Sequence, residues 1–186
     1  MRARLALKAH YRDQIDSLRR QRNVLKNRLA LPEAVLHENE NHFYSSWLYS
    51  AAHALASIPE NQTVGVLTAR LQLPVARCSE ILEFLCRLGL LEPAGARYKP
   101  GRRSVYLSSE SPNIARHHIN WRVRAIHAVQ TATAESTHFS GAVSPSREDA
   151  EVVRDILIRA LKRAMETVAE SQDEVAYGVG IDFFPI

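Results

Sequence analysis

Residues 67–91 read LTARLQLPVARCSEILEFLCRLGLL. Two apolar-periodic runs flank a short break at Leu71–Pro74. Upstream, Thr63 stands where a cap belongs before VGVLTARL, because its hydroxyl can accept from a free N–H of the first turn. Pro74 suits the first turn of the next helix, where its missing N–H costs nothing. That helix is predicted over 75–88. Cys78, Ile81, Leu82, Leu85 and Leu88 recur at helical spacing and form its buried stripe. Gly89 follows, where a left-handed residue ends a helix.

Beyond it, LLEPAGARYKPGRRSVYLSS predicts two short strands. A Gly-rich basic turn between them would hold Lys99, Gly101, Arg102 and Arg103. Helix, turn, helix, β-hairpin is the winged-helix order. In that arrangement the second helix enters the major groove of DNA and the wing meets backbone or minor groove. The outward positions are Ala76, Arg77, Ser79, Glu80, Glu83 and Arg87. Arg77 is placed for a bidentate contact to guanine, and Ser79 for a base or a phosphate. Arg97, Lys99, Arg102 and Arg103 are expected to neutralise phosphates. Glu80 and Glu83 oppose this reading, since carboxylates near phosphates cost affinity. The alternative is a protein-interaction or ligand-sensing scaffold whose winged helix binds no DNA.

Charge distribution bears on the same question. The chain has 186 residues and a net charge of +4. Residues 1–30 hold nine Lys/Arg against two acids, and residues 61–107 hold seven against three. Residues 31–60 and 147–186 are net acidic. The positive field is therefore confined to two segments, and such a patch points to an anionic partner such as nucleic acid.

Around the centre, residues 3–29 lack Pro and Gly and predict one long helix ending at Leu31-Pro32. Tyr11, Ile15, Leu18, Leu25 and Leu29 share a heptad seam, broken by Arg22. The seam could pair two chains or pack on this chain's own body. Residues 33–43 read as a linker. A helix over about 44–57 carries Tyr44, Trp47, Leu48, Ala51 and Leu55 on one face. Another helix is predicted over 112–134, with Ile114, Ile119, Val123, Ile126 and Val129 on a stripe. The end of the chain reads strand (136–144), helix (147–170), strand (175–186). The helix has an acidic start and a basic end, matching the helix dipole. In the last segment Val175, Tyr177, Val179, Ile181 and Phe183 face one way. Ala176, Gly178, Gly180 and Asp182 face the other, so something can approach closely there, such as the 147–170 helix. Two strands alone are marginal, so they are expected to join a partner chain or the wing.

No P-loop, nucleophile elbow, dinucleotide fingerprint or zinc-type Cys/His cluster is present, and no enzyme activity, cofactor or metal is predicted. His117 and His118 are adjacent and diverge by about 100° on a helix, unlike an i,i+4 ligand pair. Cys78 and Cys86 are about 12 Å apart along one helix and cannot pair. Free thiols suggest a reducing compartment, hence the cytoplasm. No apolar run approaches the roughly 20 residues that cross a bilayer, and no signal peptide is predicted.

Three features carry a family resemblance: FYSSWLYSAAHAL at 43–55 with its Y-x-x-W helix, the L-x-x-L-G-L-L close of the 75–91 stretch, and a terminal strand ending in F-P. On these the chain resembles, over roughly 5–186, a bacterial family of unknown function whose members are taken to be helix-turn-helix transcriptional regulators. The resemblance also implies another small helix-turn-helix domain ahead of the segment matching residues 1–30.

The expected fold is α+β, mostly α: a winged helix-turn-helix with a long N-terminal helix and a C-terminal strand–helix–strand unit. Residues 1–31 would link or dimerise, 42–110 form the winged helix, and 111–186 dimerise or sense. The expected function is DNA-binding transcriptional regulation by a homodimer, with a regulatory protein or small-molecule effector as a further partner and no membrane.

Overall fold

The computed structural model describes residues 39–103, 107 and 110–186. The predicted 3–29 helix, its heptad seam, and residues 104–106 and 108–109 of the stretch predicted to hold the two short strands lie outside these residues. The described chain is α+β and mostly helical, with a two-stranded antiparallel sheet.

Residues 39–43 are helical rather than linker, and Phe43 and Tyr44 are buried. Aromatic rings there have apolar surface to lose, so the segment folds onto the core instead of crossing solvent. Helix α1 follows at Trp47–Ser57, capped by the Ser46 hydroxyl accepting from Leu48 N at 3.2 Å. Its most buried residues are Tyr49, Ala52 and Ala56, whereas Trp47, Leu48, Ala51 and Leu55 are half-buried. The expected stripe was therefore turned by about a residue. The reason is that α1 packs on two sides, against the core and against a later helix.

Thr63 caps α2, Val64–Leu71, accepting from Val66 N at 3.4 Å. The chain then turns through Gln72, a left-handed residue at φ 54°. Helix α3 runs Val75–Arg87, with Pro74 as its N-cap rather than inside its first turn. Cys78, Ile81, Leu82, Phe84 and Leu85 form its buried face. The stop is as expected: Gly89 sits at φ 71°, Leu90 N donates to Leu85 O at 3.0 Å, and Gly89 N donates to Cys86 O at 2.9 Å. These paired bonds satisfy carbonyls that would otherwise lack partners, and they drive Leu90 into the core.

Strands β1 (Leu91–Ala94) and β2 (Arg97–Pro100) pair antiparallel, with Glu92 opposite Lys99 and Ala94 opposite Arg97. The hairpin turn is Gly95–Ala96, with Gly95 at φ 64°. This corrects the expected turn around Lys99–Arg103. A two-residue loop beginning with a glycine at positive φ closes a hairpin most tightly, so Arg97 and Lys99 lie on β2 and Arg102 and Arg103 beyond it. Tyr98 N donates to Gln62 O at 2.7 Å, and Thr63 bridges Arg97, so the chain entering α2 lies along the hairpin's free edge.

Helix α4 spans Ile114–Gln130 and α5 spans Arg147–Ala169, and neither has a fully buried residue. Ser146 caps α5, accepting from Asp149 N at 3.0 Å. Glu148 and Asp149 lie in its first turn, but its last turn holds no basic residue, because Lys162 and Arg163 fall a turn short. Residues 136–144 and 175–186 carry no strand pairing, contrary to expectation. They pair neither with the hairpin nor with each other, which corrects the expected pairing with the wing.

Candidate nucleic-acid interface

The predicted reading residues sit on or beside α3. Val75, at 60% exposed, and Ala76, Glu80 and Glu83 leave one face of that helix in solvent. Arg77 and Ser79 are half-buried. Arg77 is not a free reading head. Its guanidinium donates to Glu80 Oε2 at 2.8 Å and to the Tyr49 hydroxyl at 3.2 Å, and it lies 5.9 Å from the centre of the Tyr49 ring. The hydrogen bonds to Glu80 and Tyr49 raise its pKa further, so it is a permanent cation. The Tyr49 hydroxyl is in turn 2.7 Å from His42 Nε2. A chain His42–Tyr49–Arg77–Glu80 thus links an exposed histidine, through the buried Tyr49, to the exposed face of α3. Periodicity gave no sign of it, because Tyr49 and Arg77 are 28 positions apart.

The four basic residues of the hairpin region divide. Arg97 and Lys99 are exposed on β2, with Lys99 across from Glu92. Arg102 is 95% exposed and only 4.0 Å from Glu92, a loose pair. Arg103 folds back: its side chain donates to Leu88 O at 3.3 Å and its backbone N to Gly89 O at 3.2 Å. It caps the C-terminal end of α3, where a cation suits both the unpaired carbonyls and the helix dipole. Gly101 makes this return possible, since a Cβ there would collide with the Gly89 carbonyl. Arg97, Lys99 and Arg102 remain as outward cations, and Arg103 is held in structure.

Elsewhere, burial holds the His53 imidazole below its ordinary value, partly countered by a hydrogen bond with the Leu90 backbone. His117 is lowered by burial, then by the charges of His118 and Arg122. The two adjacent rings are 5.8 Å apart at their centres. Among the described residues no three His, Cys, Asp or Glu side chains gather as a metal site. Cys78 and Cys86 are both free thiols, and burial and the Glu83 charge push the Cys86 thiol up. No helix among the described residues is long and apolar enough to cross a membrane.

These features define a small helical body with a basic hairpin beside an exposed helix. The chain belongs to the family described as Domain of unknown function (DUF4423), whose match spans residues 28–186. No curated protein matches it. Among solved structures it is similar to the methyltransferase CalO1 of calicheamicin biosynthesis in its SAH-bound form, at 20% identity and a TM-score of 0.30. That match covers 75% of this chain and 46% of the methyltransferase, so this chain spans less than half of its length. A likeness of that grade carries no inference about fold or activity.

Proposed function

We propose that residues 42–110 form a winged helix-turn-helix that binds DNA, and that the chain is a cytoplasmic transcriptional regulator acting as a homodimer. The observation that carries this reading is the exposed face of α3 lying next in sequence to a hairpin with three outward cations, Arg97, Lys99 and Arg102. The reading is further supported by Gln62 and Thr63, which meet β2 through one backbone hydrogen bond and an isolated bridge and so brace the hairpin against the start of α2. The Arg77–Glu80 pair does not close the face. Its side chains are 42% and 64% exposed, and an exposed pair is worth about 0–1 kcal/mol. A bidentate arginine–guanine contact discriminates by about 1–3 kcal/mol, enough to draw Arg77 away.

Dimerisation is supported by the C-terminal half. Helix α5 has 23 residues and buries none of them. In proteins most helical stability comes from packing an apolar face, and this helix has no fully buried one within the described chain. Val152, Ile156, Leu161 and Met165 are exposed along it, as are Ile119, Val123 and Ile126 along α4. A self-complementary contact between two copies would cover these faces.

A second reading has its own support: Glu80 and Glu83 on the exposed face of α3 suit a protein partner better than phosphate. Titration of the chain with random-sequence and genome-selected duplexes at several salt concentrations separates the two. DNA binding requires a steep fall of affinity with salt. No binding at low salt rejects it and leaves the protein-interaction reading.

A further inference from the structure

We propose that the cleft between α1 and α4 binds a small aromatic carboxylate. The cleft has a volume of about 450 Å³, inside the roughly 300–1,000 Å³ usual for small-molecule sites. Its walls include Trp47 and Leu55 from α1, Arg70 at the end of α2, Trp121 and Arg124 from α4, and Tyr177 from the C-terminal segment.

Two features select an aromatic acid. The first is the pair of indoles. The Trp47 and Trp121 rings stand 6.4 Å apart at 52° and both line the cleft, a tilted pair beside which a third ring can pack edge to face. Gly178 keeps the far wall flush, since a Cβ there would come within 3.0 Å of the Trp121 ring. The second is charge. Arg70, Arg122 and Arg124 line the cleft against one carboxylate, Asp182. Arg122 is hydrogen-bonded to Asp182, which ties the C-terminal segment to α4. Arg70 and Arg124 have no ion pair among the described residues. The Arg124 guanidinium lies over the Trp47 ring at 5.3 Å. A guanidinium stacked in this way keeps its N–H edge free for both oxygens of a carboxylate. The occupant's ring would lie among Trp47, Trp121 and Tyr177, and its carboxylate would take the edge of Arg124 with Arg70 nearby.

This site goes beyond the DNA reading and does not depend on it. The chain has two tryptophans, and both line the cleft, so intrinsic fluorescence reports directly on its occupancy. The test titrates the full chain, without DNA, with phenylacetate, its neutral amide phenylacetamide, and butyrate. The expected result is saturable change with phenylacetate and at least tenfold weaker binding of the other two. Arg124→Gln should abolish the preference for acid over amide. Ala54→Leu, at an exposed position of α1 that lines the cleft, should weaken phenylacetate at least tenfold with an unchanged far-UV circular dichroism spectrum. Unsaturable responses to all three compounds overturn the proposal. So does equal binding of acid and amide, equal binding of phenylacetate and butyrate, or unchanged binding by Ala54→Leu.

Discussion

Arg77 donates to Glu80 Oε2 at 2.8 Å, three residues along the exposed face of α3. The arginine expected to read bases is thereby bound to a carboxylate that would repel a phosphate backbone. Glu80→Gln keeps an acceptor for Arg77 and removes the charge. Binding to a random-sequence duplex at low salt should tighten by about three- to tenfold, the gain expected from deleting one repulsive charge near phosphates. Fluorescence anisotropy with a labelled duplex measures it. Unchanged affinity would detach α3 from the DNA surface.

Arg102 and Arg103 are neighbours with opposite tasks. Arg102→Ala should flatten the salt dependence by about one ionic contact and leave stability unchanged. Arg103→Ala should leave the salt slope nearly intact and cost about 0.5–1.5 kcal/mol, the worth of one hydrogen bond closing α3. Urea denaturation alongside the salt titration tells the two apart. Equal slope losses would place Arg103 on the DNA side and refute its capping role.

The uncovered apolar faces of α4 and α5 make a prediction about assembly. Ile126, 60% exposed on α4, should tolerate Asp in a single chain and disrupt a pair. Light scattering after size exclusion should give the mass of two chains for the parent and of one for Ile126→Asp. A parent that runs as a single chain at high micromolar concentration would remove the dimer from the reading.

Acid should weaken the fold through His53. Its folded pKa lies below the ordinary 6.5 because burial disfavours the imidazolium. The unfolded chain therefore binds the proton more readily. The neutral form's contribution is complete above about pH 6.5 and is lost as pH falls from there towards the lowered folded value. Denaturation midpoints measured between pH 8 and pH 5 should fall less steeply for His53→Gln than for the parent. Identical profiles would mean that the imidazole titrates as if in water.

Much of the central body was legible in residue order. The apolar stripe of α3, the Thr63 cap and the Gly89 stop depend on neighbours within about four positions; the cap and stop formed as expected, and the stripe did at Cys78, Ile81, Leu82 and Leu85, with Phe84 buried in place of the half-buried Leu88. The hairpin was legible as a hairpin, but its turn was misplaced. Gly95 and Gly101 compete for the same role by composition, and the return of Arg103 onto Leu88 and Gly89, which requires Gly101 beyond β2, is a contact between separate segments. The α4 stripe is apolar as read, and its Ile119, Val123, Ile126 and Val129 are exposed. His117, Asn120, Trp121 and Arg124 are the side chains near α1, with Asn120 donating to Tyr44 O at 2.9 Å. The small-residue face of 175–186 does admit a close neighbour, but that neighbour is Trp121 of α4 rather than the 147–170 helix.

By itself the sequence determined where α2 and α3 start and stop, most of the face that α3 buries, and where positive charge is concentrated. Each of these follows from local hydrogen-bond supply and from the period of the chain. Only the tertiary structure decided which cations are available. Arg77 is shared with Tyr49 and Glu80 in a half-exposed pair, Arg103 is held by the end of α3, and Arg122 by Asp182. It also decided that two tryptophans 74 positions apart in sequence meet across one cleft. The physical reason is common to these cases: a side chain's partners are set by distance in space, and residues far apart in the chain become neighbours only when the core closes.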